Sequence, residues 1–209
     1  MFRLRTIVIA TTMALAACSQ PPNEAANPPA AAASTASASS TASATTDMTS
    51  NPFYNASTLP FQAPPFDKIH DGDYQSAIEE GMKQHLAEIE KIASNPEPPT
   101  FENTYVAMEK SGAMLQRVMA AFNAVTGANT NDTLQKVQEE EAPKLAAHED
   151  AIHLDSKLFQ RVETIYNQRD TLKLDAESAR LVEVVYKDFV HAGAKLSDAD
   201  KAKLRELNR

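Results

Sequence analysis

Two histidines, His148 and His153, with Glu149 directly after the first, are the nearest this sequence comes to a metal-activating motif. In the His-Glu-x-x-His arrangement the imidazoles stand four residues apart on a helix, so both reach one zinc ion while the glutamate activates its water. Here the place of the second ligand is taken by Ile152. The extra residue matters, because five residues turn a helix by about 500° and leave the two rings about 140° apart. A zinc site is therefore not expected from this pair. His70, His85 and His191 do not stand at ligand spacing to it, although a fold could gather them; surface or half-buried histidines are the plainer reading.

Glu79-Glu80 and Glu139-Glu140-Glu141 could hold a cation or supply a proton, but most such runs are solvated helix faces. Glu141 is the one to watch, since it shares a stripe with Leu134, Val137 and Leu145 and could be paired inside. Met82, Met108, Met114 and Met119 could line a plastic groove, yet at helical spacing beside Ile and Phe they read as core. No Gly-rich phosphate loop, Gly-x-Ser-x-Gly turn or nucleophile beside a base is present, so this chain alone is not expected to catalyse.

The elements that must position these groups follow a leader. Arg3 and Arg5 precede the nine-residue apolar run IVIATTMAL and then small residues, the layout of an export signal over residues 1–17. A span would need about 20 apolar residues; a buried helix or short anchor is the alternative. Leu15-Ala16-Ala17-Cys18 resembles the bacterial lipobox, which implies cleavage between Ala17 and Cys18 and a lipid on Cys18. Cys18 is the only cysteine, so no internal disulfide can form. Ser19 stands where many inner-membrane lipoproteins carry Asp, and the expectation is an outer-membrane-anchored lipoprotein facing the periplasm. The alternative is an ordinary signal and a soluble periplasmic protein.

The full chain carries a net charge of −8, and loss of residues 1–17 leaves 18 Lys and Arg against 28 Asp and Glu. With no basic cluster to neutralise phosphates, nucleic acid is excluded as a partner; the membrane is reached through lipid rather than charge. Residues 18–50 hold the lipidated cysteine and an Ala/Ser/Thr/Pro-rich stretch that cannot build a core and reads as a flexible tether.

The rest, residues 51–209, has helical period almost throughout. An arm over residues 51–69 alternates Pro52, Pro60, Pro64 and Pro65 with Phe53, Tyr54, Leu59, Phe61 and Phe66, and is expected to lie across the helical body. Helices are expected over residues 73–94 and over 101–126, the second stopped by Gly127. A third is capped by Asp132 and kinked at Pro143, and a fourth covers residues 156–168. Asp175 caps a fifth that stops at Gly193, and Ser197 with Asp200 begins a sixth that turns Leu204 and Leu207 to one face.

The junction NPEPPTFENT over residues 95–104 is a stop followed by a start, with three prolines and then Thr100 as a helix cap. Together with Pro64-Pro65-Phe66-Asp67-Lys68-Ile69, the run LQRVMAAFNAVTGANTN over residues 115–131 and Asp188-Phe189-Val190-His191-Ala192-Gly193-Ala194, it resembles the N-terminal region of the oligopeptidase A and peptidyl-dipeptidase family of thimet-oligopeptidase-like zinc metallopeptidases. The peptidyl-dipeptidase branch looks most similar. The resemblance implies an all-α fold: a multi-helix N-terminal lobe of a larger helical ellipsoid, walling a channel that admits short unstructured peptides. It also implies a Zn2+ site in a later helix, where the metal polarises the scissile carbonyl and activates water. None of the family's zinc or catalytic residues falls on a position of this sequence. The expectation is an N-terminal fragment whose partner is the missing C-terminal catalytic part, with dipeptides removed from peptide C-termini by the whole. The alternative is a non-catalytic helical lipoprotein that binds peptides or another protein.

Overall fold

Residues 50–208 of the computed structural model are described, and they form an all-α fold in which no strand occurs. The leader, Ala17 and Cys18, and all of the tether but Ser50 lie outside the described residues. After a 3-10 turn at Pro60–Gln62 come α1 (Asp71–Ala93), a wide π-type turn (Phe101–Val106) that runs into α2 (Ala107–Glu109), and α3 (Ala113–Asn129). Then follow α4 (Asp132–His153), α5 (Ser156–Gln168), α6 (Ala176–His191) and α7 (Asp198–Leu207).

Local chemistry sets most of these ends. Asp155 accepts from the Leu158 N–H at 2.6 Å, Asp175 from Glu177 and Ser178, and Ser197 from Asp200, each satisfying amides that a helix start leaves free. Gly193, at φ +100, ends α6 in the left-handed conformation that glycine adopts without a Cβ clash. Three boundaries differ from the sequence reading. Helix α1 starts at Asp71, because Asp73 reaches back to the His70 N–H at 2.7 Å. The cap of α4 is Asn131, which accepts from Leu134, one residue before the expected Asp132. The expected helix over 101–126 is broken at Ser111-Gly112, while Gly127 lies inside α3.

Two core clusters result. The first joins Phe53 of the arm to the first half of α1, to α3 and to Leu134 and Val137 of α4. The second joins Ile89 and Ile92 of α1 to Tyr105, Ile152, α5 and α6. Helices α1 and α4 run in the same direction, since Asp71 bonds Asn131, Gln75 bonds Glu141 and His85 packs on His148. Gly81 lets α3 approach α1 so closely that a Cβ there would lie 2.9 Å from the Leu115 Cα.

The arm docks by less than its composition implies. Phe53 is buried against Tyr74, but Leu59 and Phe66 are exposed and Phe61 is fully so. In α7 the inward face carries Lys201 and Leu204, leaving Leu207 83% exposed, contrary to the expected Leu204–Leu207 face. No helix among the described residues is long and apolar enough to cross a membrane.

Candidate functional site

The Pro-rich junction is held by a residue the sequence reading passed over. Thr100 accepts from the Asn103 N–H at 3.0 Å while Asn103 Oδ1 accepts from the Thr100 N–H at 2.8 Å, closing a reciprocal cap. Asn103 Nδ2 donates to the Pro98 carbonyl at 3.0 Å. Prolines cannot donate, so the loop's carbonyls need an outside donor. Arg161 of α5, only 6% exposed, provides it: Nη1 donates to the Asn95 and Glu97 carbonyls and Nη2 to Asn103 Oδ1. Burial pulls its guanidinium below the usual arginine range, and Glu97 partly offsets this. The available signal was an arginine in the stripe Leu158, Val162, Ile165 that α5 turns to the core.

Beneath the junction Tyr105 is fully buried, its hydroxyl within donating distance of the Val162 carbonyl (3.2 Å) and the Val182 carbonyl (3.3 Å). Desolvation pushes this phenol up from its ordinary value. Beyond it the Tyr166 and Tyr186 rings stack at 3.7 Å, with the Arg169 guanidinium 4.3 Å above Tyr166.

The histidines divide. His70 caps α1 and His191 is exposed at the end of α6, whereas the fold brings His85 to His148, ring centroids 5.0 Å apart. His85 Nε2 meets Ser111 Oγ at 3.0 Å; its Nδ1 and both nitrogens of the 3% exposed His148 find no hydrogen-bond partner. His148 and His153 both lie beside Glu149, with Nδ1 to carboxylate distances of 3.9 and 3.4 Å, but His153 faces the Phe189 ring at 5.0 Å. Their surroundings do not fit a shared zinc ion. Among the described residues no three His, Cys, Asp or Glu side chains stand together so as to hold a metal.

Glu141 is pulled inside. At 1% exposure it accepts from Lys144 at 2.8 Å and from Gln75 at 3.1 Å, and Lys144 also pairs with Glu79. Donating hydrogen bonds to the Glu141 and Glu79 carboxylates pushes the Lys144 ammonium up from its ordinary value. Glu80 pairs with Lys83 on the surface and Glu139 is exposed, as solvated faces should be. Met82 and Met114 are core, Met119 packs against the first cluster and Met108 against the second.

No family model matches the chain. Over 160 residues, 77% of its length, the chain is 51% identical to a dipeptidyl carboxypeptidase of Escherichia coli, and that stretch is 24% of the relative. A dipeptidyl carboxypeptidase of Salmonella typhimurium is 48% identical over 161 residues, again 24% of its length. The chain thus spans about a quarter of the curated relatives it matches.

Proposed function

We propose that this chain, related to the dipeptidyl carboxypeptidases over 160 residues, forms one helical wall of the channel of a zinc-dependent peptidyl-dipeptidase. The zinc ligands and catalytic groups would belong to the remaining, C-terminal part of that enzyme, where a metal would polarise the scissile carbonyl and activate water. Short unstructured peptides would be the substrates, shortened by dipeptides from the C-terminus. The lipid on Cys18 would hold the protein to the outer membrane, facing the periplasm.

The observation that carries the reading is the 51% identity to a protein named for that activity. The arm adds support. Leu59, Phe61 and Phe66 are exposed within eight residues, and neighbouring apolar side chains left in water mark a contact surface. Three quarters of each longer relative is available, in kind, to cover such a surface.

A chimera tests this. Replacing the matching stretch of the Escherichia coli relative with residues 51–209 is expected to preserve zinc-dependent dipeptide release from a short peptide, while the 209-residue chain by itself releases none. A folded chimera without activity would overturn the assignment. The competing reading, a non-catalytic helical module, draws on the two closed core clusters. It requires the isolated chain to melt cooperatively and to bind peptides unaided.

A further inference from the structure

The seam between the two core clusters is closed by imidazoles. Met82 of α1 belongs to the first cluster and Ile89 to the second, and His85 lies between them against His148 of α4. Beside this pair the chain breaks between α2 and α3, where Gly112 stands at φ +69. Its N–H is held by the Glu88 carboxylate at 2.7 Å, and the space a Cβ would need is filled by the His85 ring at 2.9 Å. An adjoining pocket of about 200 Å³ is lined by Met108, Glu109, Asp188 and His153 among others.

We propose that His85 and His148 are an acid-triggered release for this seam: kept neutral they pack ring on ring, and on taking protons they part and free the Ser111-Gly112 turn. Two facts of geometry carry it. His148 is enclosed with neither nitrogen hydrogen-bonded, and the Glu149 carboxylate, 3.9 Å from its Nδ1, stands beyond hydrogen-bonding distance of an added proton. The carboxylate nearest His85 on its own helix, Glu88, already closes the turn through Gly112. A charged His85 competes for that carboxylate and draws it off the glycine amide.

The surrounding groups set the direction. Burial pushes the His85 imidazole below its ordinary value, opposed by Glu88 of α1 and Glu149 of α4. Burial also lowers His148, with His85 and His153 adding to the effect and Glu149 opposing it. Glu109 of α2 and Asp188 of α6 face the same pocket and Ser111 Oγ meets His85 directly. Because both rings take protons more readily in the unfolded chain, their contribution is full above about pH 6.5 and declines as the pH falls through that value. Histidine is the side chain suited to such a device.

The full 209-residue chain and its His148→Phe variant, melted at about pH 7.5 and about pH 5, provide the test, since these values straddle the free imidazole. Acidification is expected to lower the melting temperature of the unaltered chain by about 2–4 °C or more beyond its effect on the variant. In parallel, the Gly112 amide resonance of the unaltered chain is followed through the same titration, which decides the matter even if the variant does not fold. It is expected to move together with the His85 and His148 ring protons. Equal losses in the two chains, or a Gly112 amide that stays still while the rings titrate, would overturn the proposal.

Discussion

Arg161 and Asn103 meet at 2.8 Å, Nη2 to Oδ1, and that contact ties α5 to the cap of the π-type turn. The same oxygen accepts from the Thr100 N–H, so Asn103 is both the cap of its own helix and the anchor for a guanidinium 58 residues away. The Pro-rich junction is therefore rigid for two reasons. Its prolines fix φ, and its carbonyls are gathered by one buried cation.

Replacing Arg161 by Met should cost about 2–4 kcal/mol, because two loop carbonyls and Asn103 Oδ1 lose charge-assisted donors within a buried region. Arg161→Lys should recover only a minor share, since a point ammonium cannot serve three acceptors spread across a fork. Urea unfolding checks both. A Lys variant as stable as the parent would mean that charge, not the planar geometry, holds the junction.

The glycines separate close approach from mere flexibility. At Gly81 a Cβ would sit 2.9 Å from backbone of Leu115, whereas at Gly127 nothing lies within 4 Å. Both are helix positions where alanine is intrinsically favoured by about 1 kcal/mol. Gly127→Ala should therefore raise stability by about 0.5–1 kcal/mol, and Gly81→Ala should lower it because α1 and α3 must separate. Gly112→Ala should be worse still, with a left-handed backbone costing about 1–2 kcal/mol before the clash with His85 is counted. Thermal melts of the three variants give the order, and a stabilised Gly81→Ala would refute the close crossing.

What the sequence revealed was what local chemistry decides. The range 156–168, the caps Asp175 and Ser197 and the stop at Gly193 were all legible, because a cap is written within three residues of the helix it starts. The break at Gly112 was hidden, because Tyr105, Met108, Leu115 and Met119 keep helical phase across it and its anchor Glu88 lies 24 residues away. The His85–His148 pair and the Arg161 clamp were hidden for the same reason: each joins helices distant in sequence. Leu207 was misread because a three-residue spacing to Leu204 suits one face, whereas the docked face is set by Lys201 donating to Ser156 and Asn208 to Asp150.

Tyr105 supports a sharper test, since one atom can be removed without touching the packing. Its hydroxyl is the only group of the ring that reaches the Val162 and Val182 carbonyls, which belong to α5 and α6. Tyr105→Phe should cost about 1–2 kcal/mol, the range for losing a buried neutral hydrogen bond and leaving its acceptor short. Tyr105→Leu should cost more, by the added cavity and the lost stacking on Phe101 at 5.9 Å. Denaturant midpoints for the pair separate the two contributions.

Phe61 makes the opposite prediction, a substitution that helps the isolated chain. It stands at φ 58 with Gln62 at φ 54, a left-handed pair that bulky side chains rarely adopt, and its ring is wholly in solvent. Only local backbone bonds of the turn, from the Gln62 N–H to the Leu59 carbonyl at 2.9 Å and from the Ala63 N–H to the Pro60 carbonyl at 3.2 Å, are set against the strain, which for such a residue is about 1–2 kcal/mol. Asparagine tolerates this conformation, so Phe61→Asn should slow amide exchange across residues 59–63 in the isolated chain, as relief of about 0.5–1 kcal/mol would. In the chimera with the Escherichia coli relative the same substitution should act the other way, weakening the association of this segment with the rest and lowering dipeptide release. Strain held at an exposed aromatic makes physical sense when a second surface receives the ring. A Phe61→Asn chimera as active as its parent would show that no such surface does.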